Sequence, residues 1–272
     1  MSIKLIAVDL DDTLLDNSLA VSARAREAIA QAVARGVTVT VATGRMYRSA
    51  LPYARQLGLD VPLITYNGAL IKAALSGEVL LHRPLAEDVA RDVLALSRQQ
   101  GWYIQVYLDD VLYVTELNDR ALYYETIAGV KAVPIGDRLY SLPGAPTKLL
   151  VMAEPADILR IQEEVQARFG DRLYAVVSKP NYLEMVHPAV NKGAALAFLA
   201  EKLGISRDEV MAIGDSYNDL DMLEYAGFGV AMGNASQRVK AVAQAVTRGN
   251  DEDGVAEAIE KILGSGLTYF KN

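Results

Sequence analysis

The hydrophobic pattern opens on a short unbroken run, Leu5-Ile6-Ala7-Val8, that stops at the acidic stretch Asp9-Leu10-Asp11-Asp12. An apolar run of that length, bounded by acid, predicts a strand buried on both faces, as strands of a parallel sheet are. The period then changes. Ala25, Ala28, Ile29, Ala32 and Val33 fall on one face of a predicted helix that Ser22 caps and Gly36 stops. A β-branched run over 37–42 leads into Thr43-Gly44-Arg45, a second helix covers 46–57, and Pro62-Leu63-Ile64-Thr65 reads as a third strand. Strand, helix, strand, helix, strand is the signature of a parallel sheet with helices on its faces. Tyr66-Asn67-Gly68-Ala69 then predicts a hairpin, because Asn-Gly supplies the positive φ angles such a turn needs.

At Arg83-Pro84 the pattern shifts. A helix over 86–100 precedes alternating runs at 102–108 and 111–115 joined by Asp109-Asp110, which predict antiparallel strands. Another helix, a loop rich in Pro and Gly over 134–146, a strand at 148–152, a helix over 155–169 and strands near 174–177 and 182–186 follow, and His187-Pro188 closes the segment. Beyond Asn191 the first pattern resumes. A helix over 192–203 and the capping box Ser206-x-x-Glu209 lead into the apolar run 210–215, which again ends in acid at Asp215. Helices near 219–225, 236–243 and 252–263 alternate with short runs at 229–231 and 245–247. The expected fold class is therefore α/β: a Rossmann-like, doubly wound parallel-sheet core of residues 1–83 plus 189–272, interrupted by an α+β insertion at 84–188.

Composition narrows the partners. The 272 residues carry a formal net charge of −7, which argues against nucleic acid or an anionic membrane held by general electrostatics. With no cysteine, disulfides, thiolate catalysis and cysteine-ligated metals are excluded. The amino-terminal apolar run is too short for a signal peptide and no stretch approaches a membrane span, so a cytoplasmic location is expected. The sequence is silent on oligomeric state.

Candidate chemistry lies where the predicted strands end. Asp9 and Asp11, two apart on an extended chain, can face one ligand while Leu10 turns into packing. Alone, such a cluster reads equally well as a solvated acidic turn. Thr43-Gly44-Arg45, Lys192-Gly193 at a helix start, and Asp215 with Asn218 and Asp219 change the balance, because all strand carboxyl ends of a parallel sheet share one edge. The chemistry this set suits is phosphoryl transfer, which needs a divalent cation on oxygen ligands, a fixed ammonium, and hydroxyl or amide donors. Asp9 and Asp215, with Asp11 through its backbone carbonyl, would hold Mg²⁺; Thr43, the Gly44 amide and Lys192 would grip the phosphate. Each also has a plainer reading. Thr43-Gly44 makes a strand-to-helix turn, Lys192 a solvated helix-start lysine, and Asp219 a helix cap. Asn67 reads evenly as a turn residue or a substrate contact, and His82 and His187 as packing at the ends of the insertion. Dinucleotide, EF-hand, Walker and nucleophile-elbow patterns are not met.

Asp9-x-Asp11-x-Thr13, Thr43, Lys192 and Gly214-Asp215-Ser216-Tyr217-Asn218-Asp219 resemble, in order, the four motifs of the haloacid-dehalogenase-like (HAD) hydrolases. Thr43-Gly44-Arg45, residues 64–69, Asn191-Lys192-Gly193 and residues 229–235 are similar to the Cof-type subfamily of sugar phosphatases, whose insertion is a cap domain governing substrate choice. The resemblance implies that Asp9 is the nucleophile forming an aspartyl-phosphate, and that Asp11 is the general acid and then base. It also implies that Asp215 is a metal ligand and that Asn218 and Asp219 support the metal and Lys192. Thr43, Gly44, Arg45, Asn67, Lys192 and Asn218 make up the implied phosphate-binding set. One departure is that Asp12 stands where many members have Gly, and its side chain is expected to point away. The expected activity is Mg²⁺-dependent hydrolysis of small phosphorylated metabolites, sugar phosphates in kind. The alternatives are a phosphomutase of the same superfamily and a non-enzymatic receiver module, against which the insertion argues.

Overall fold

The unbroken apolar run does what its composition requires. Leu5–Val8 forms strand β1, with every side chain buried and parallel neighbours on both sides. The computed structural model describes residues 2–265. In chain order they form β1, α1 (Ala23–Ala34), β2 (Thr38–Val41), α2 (Tyr47–Gln56), β3 (Pro62–Thr65), β4 (Leu70–Ala73) and β5 (Val79–His82). Then come α3 (Glu87–Gln100), β6 (Ile104–Leu108), β7 (Val111–Val114), α4 (Asp119–Ala128), β8 (Ala132–Pro134), β9 (Lys148–Met152), α5 (Pro155–Phe169), β10 (Tyr174–Lys179) and β11 (Tyr182–Val186). The described residues end with α6 (Lys192–Lys202), β12 (Val210–Gly214), α7 (Leu220–Tyr225), β13 (Phe228–Ala231), α8 (Gln237–Val242), β14 (Ala245–Val246) and α9 (Gly254–Ser265).

These elements gather into two compact units. One comprises the chain up to Gly44, Ala50–Leu80 and the chain from Asn191 on; the other comprises Arg45–Ser49 and Leu81–Val190. The first unit is built on a parallel sheet in the order β14-β13-β12-β1-β2. In its register Val8 lies between Val41 and Ile213, so the residues following β1, β2 and β12 emerge side by side at one edge. Helix α1 starts at Ser22, whose hydroxyl accepts the Ala25 N–H at 3.0 Å, and it buries Ala25, Ala28, Ile29 and Ala32. Val33, expected on the same face, is 45% exposed. One residue beyond Ala32 turns about 100° around the helix, off the edge of the apolar stripe.

The third predicted strand departs from expectation. β3 meets β2 through the single parallel bridge Ala42↔Ile64, while its ladder runs antiparallel to β4 in a separate three-stranded sheet with β5. The Asn-Gly turn is the cause: Tyr66, Asn67 and Gly68 all take positive φ and fold β4 directly back on β3.

In the second unit six strands are ordered β10-β11-β9-β6-β7-β8. Neighbours are antiparallel except β7 and β8, and β8 is a short strand that no predicted strand covers, its last residue Pro134 falling in the expected loop. Alternation divides its faces. Leu149 and Val151 pack in one apolar cluster with Val93 of α3 and Ile158 of α5. The alternate positions hold buried polar groups: Lys148 Nζ lies 3.2 Å from Glu184 Oε1, and the Tyr107 hydroxyl donates to Gln105 Oε1 at 2.9 Å. Asp109 and Asp110 make the β6–β7 turn with left-handed φ of 52° and 58°.

Candidate active site

Asp9 follows β1 directly, and its N–H still donates to the Ile213 carbonyl at 3.0 Å. The chain does not stay extended beyond it. Residues Leu10–Leu14 make one wide turn in which the Leu14 and Leu15 N–H groups donate to the carbonyls of Asp9 and Leu10. Asp12 takes a left-handed φ of 59° in this turn. Glycine would adopt that conformation without strain, and Asp is among the few other residues that tolerate it. The Asp12 side chain is exposed, and its carbonyl accepts from Asn234 Nδ2 at 2.8 Å. Leu10 is fully buried, as its neighbours' chemistry requires of an anchor. Asp11 is partly buried.

Lys192 is the first residue of α6, which Asn191 caps by accepting the Ala194 N–H at 2.6 Å. From there its ammonium reaches back to the sheet edge and donates to Asp9 Oδ1 and Asp219 Oδ1, each at 2.6 Å. The Lys192 and Asp219 side chains are fully buried and Asp9 nearly so. Burial alone would lower the lysine's pKa, but the two carboxylates hold it above its ordinary value. Burial pushes the Asp9 carboxyl upward; Lys192 opposes this, and Asp219, Asp215 and Asp11 add to it.

Asp219 serves a second purpose through its other oxygen. Oδ2 accepts the N–H groups of Asp215 and Ser216, both at 3.0 Å. This hold requires Gly214, because a Cβ there would lie 2.6 Å from Asp219 Cγ. Asp215 is held in turn by Thr13, whose hydroxyl donates to Oδ1 at 2.7 Å, and by the Ser216 hydroxyl on Oδ2 at 2.7 Å. In the sequence Thr13 and Ser216 stand out only as members of their motifs, with no role of their own. The signal for Thr13 is a hydroxyl between Leu10 and Leu14-Leu15, at a position that is buried.

Carboxylate oxygens of Asp9, Asp215 and Asp219 lie within 4.8 Å of one another. All-oxygen donors of this kind suit a hard divalent cation. Asp219 already accepts three hydrogen bonds, from Lys192 and two amides, so Asp9 and Asp215 have the greater lone-pair capacity for an ion. The Asp11 carboxylate is not one of this group.

Thr43 is buried; its N–H donates to the Ile64 carbonyl and its carbonyl accepts the Asn67 N–H, each at 2.9 Å. Asn218 Nδ2 donates to Asn67 Oδ1 at 3.0 Å. Arg45 groups with the second unit, where its guanidinium reaches Ser49 Oγ at 3.4 Å. In that unit His82 Nε2 lies 2.9 Å from Thr147 Oγ1, and His187 Nδ1 accepts the Ala189 N–H. Arg120 and Tyr123 line a 430 Å³ cleft there with Met152 and Pro180.

The family model for haloacid dehalogenase-like hydrolases matches residues 6–259. The chain belongs to this family. Among HAD relatives it is similar to phosphatase YwpJ of Bacillus subtilis, with 33% identity covering 96% of this chain and 100% of that one. It is also similar to the 5-amino-6-(5-phospho-D-ribitylamino)uracil phosphatase YitU of the same organism, with 31% identity over 94% and 96% of the two chains. Among solved structures, a HAD-like hydrolase from Bacteroides thetaiotaomicron superposes with a TM-score of 0.89 at 32% identity, covering 96% of this chain and 100% of that one. This HAD protein is accordingly an enzyme, a phosphoric monoester hydrolase with an α/β parallel-sheet core. Among the described residues no helix is long and apolar enough to cross a membrane.

Proposed function

We propose that this enzyme is a Mg²⁺-dependent, cytoplasmic phosphatase of small phosphorylated metabolites, sugar phosphates in the first place, acting through an aspartyl-phosphate on Asp9. The observation that carries the reading is the buried ammonium of Lys192 shared between Asp9 and Asp219 beside the Asp215 carboxylate. A phosphate dianion approaching a bare carboxylate is repelled, and a fixed cation removes that barrier without reorganisation at the moment of reaction.

Asp9 attacks phosphorus in line, the ester P–O bond breaks, and Asp11 gives the leaving alkoxide its proton. Asp11, now ionised, takes a proton from water as that water attacks phosphorus; the bond to Asp9 breaks and inorganic phosphate leaves. Thr43, the Gly44 amide, Arg45, Lys192 and Asn218 make up the set proposed to bind the phosphoryl oxygens, with Asn67 packed beside them. Mg²⁺ held by Asp9, the Asp11 carbonyl and Asp215 would supply positive charge to the same oxygens. Asp219 keeps Lys192 and the Asp215 loop in place. The insertion at 84–188 is read as the cap that selects the leaving group. A ribityl phosphate substrate, as the name of YitU states for that protein, is consistent with a preference for polyol or sugar esters.

The test is a panel of phosphorylated metabolites incubated with purified enzyme, with inorganic phosphate and isomerised ester measured together. Release of phosphate that requires Mg²⁺ and vanishes in Asp9→Asn is the expected result. Full turnover after exhaustive chelation, or in the Asn variant, refutes the mechanism; isomerised ester in place of phosphate would make it a mutase.

A further inference from the structure

Asn67 occupies the turn between β3 and β4 yet is only 3% exposed, whereas hairpin turns ordinarily lie in solvent. Its φ of 58° is left-handed, which Asn accepts more readily than most residues. Its N–H donates to the Thr43 carbonyl at 2.9 Å, fastening the turn to the segment after β2. Its Oδ1 accepts from Asn218 Nδ2 at 3.0 Å, fastening the same turn to the segment after β12. A Cβ on Gly44 would lie 3.0 Å from Asn67 Oδ1 and 3.5 Å from Nδ2, so the Asn67 amide rests against the Gly44 backbone. Two segments that converge at the sheet edge from distant parts of the chain therefore meet on one carboxamide.

We propose that Asn67 is a positioning residue, a bracket that fixes Asn218 and the Gly44 peptide relative to one another and so sets the spacing of the phosphate-binding donors. The inference rests on the phosphatase reading for what those donors hold. The bracket itself is a matter of packing within the core. A buried amide whose oxygen is satisfied by a second amide fixes the orientation of both. Without it Asn218 loses its acceptor and Gly44 loses the side chain packed against its backbone. A displacement of about 1 Å in such a group is enough to cost about 10²-fold in rate.

Three substitutions test this. Asn67→Gly keeps the left-handed backbone and removes the carboxamide, Asn218→Ala removes the other half of the hydrogen bond, and Gly44→Ala keeps the N–H while crowding Asn67. With p-nitrophenyl phosphate as substrate, Asn67→Gly and Asn218→Ala are each expected to lower kcat/KM by about ten- to a hundredfold and to raise the inhibition constant of inorganic phosphate. The double variant is expected to be no worse than the more damaged single one. Gly44→Ala should show a loss of similar size, and adding Asn67→Gly to it should bring no further loss, because the crowded group is gone. Multiplying effects in the Asn67→Gly/Asn218→Ala pair would overturn the bracket, since the two residues would then act independently. So would unchanged kcat and inhibition constant in a merely less stable Asn67→Gly protein. If the wild-type chain turns over no phosphate ester, the phosphatase reading falls and the bracket is judged by the same pair in urea denaturation. Coupled stability losses are expected there, and additive ones overturn it.

Discussion

Lys192→Met removes the one cation shared by Asp9 and Asp219 and leaves two buried carboxylates facing each other across the space the ammonium filled. Methionine keeps most of the volume, so the loss is electrostatic rather than a cavity. Breaking a buried ion pair by deleting one partner costs about 3–5 kcal/mol, and Lys192 is fully buried, so solvent screening does not soften the figure. The pH dependence has a definite sign. Burial already raises the Asp9 carboxyl, and Lys192 is the group that opposes the rise. In the variant the folded-state value moves further above the unfolded value. The penalty is therefore absent below the unfolded carboxylate value and grows as pH rises toward the folded one. Urea denaturation in the presence of a chelator should give a loss of about 3–5 kcal/mol near pH 8 and about 1–2 kcal/mol near pH 5. Adding Asp219→Asn should recover a large part of the loss near pH 8, because one of the two opposed charges is gone. A loss below about 1 kcal/mol, or one equal at both pH values, refutes the reasoning, since either result means that the carboxylates do not depend on Lys192 for their charge balance.

Further perturbations act on the neighbouring carboxylate. Burial, reinforced by Asp219 and opposed by the Thr13 and Ser216 hydroxyls, raises the Asp215 carboxyl to about 6. Its stabilising contribution is thus complete below the unfolded value and lost as pH rises through about 6, so the metal-free protein should melt lower near pH 7 than near pH 5. Added Mg²⁺ should raise the melting temperature more at the higher pH; an equal rise at both would contradict the assignment of Asp215 to the metal. Thr13→Val deletes the 2.7 Å hydrogen bond to Asp215 Oδ1 and should cost about 1–3 kcal/mol, with a raised Mg²⁺ requirement in activity titrations. Gly214→Ala forces a methyl to 2.6 Å from Asp219 Cγ and should lower stability by about 1–3 kcal/mol and kcat with it, as read by denaturation and steady-state rates.

Much of this architecture is legible in the sequence, and the reasons are local. Leu5–Val8 and Val210–Gly214 are apolar runs closed by acid, and that contrast alone marks strands ending at a polar edge. Ser22, Asn191 and the Ser206–Glu209 box carry their capping chemistry within a few residues. What escaped the reading is the pairing of groups far apart in the chain. Thr13 reaches Asp215 across 202 residues, and Asn67 reaches Asn218 across 151, with no periodicity to announce either contact. The placing of β3 in a second sheet was hidden for a different reason, since a buried strand of four residues looks alike whichever neighbour it pairs with. Asp12 shows the converse: its side chain points away as expected, while the structure uses its backbone, in a left-handed conformation that side-chain chemistry does not signal.

The clamp on Asp9 also has a consequence for biosynthesis. Its ammonium lies 183 residues downstream, and the strand that flanks β1 on the same side, β12, comes later still. While the chain is being made, from the amino terminus onward, the first strand and its acidic loop exist for most of the synthesis without the partners that compensate them. The second unit, whose parts emerge between them, is complete before residue 192 appears. Assembly of this sheet edge is thus a late event set by chain order, and no incomplete chain ending short of Lys192 holds a charge-balanced Asp9. The clamp on Asp9 closes only once the chain has been made past Lys192.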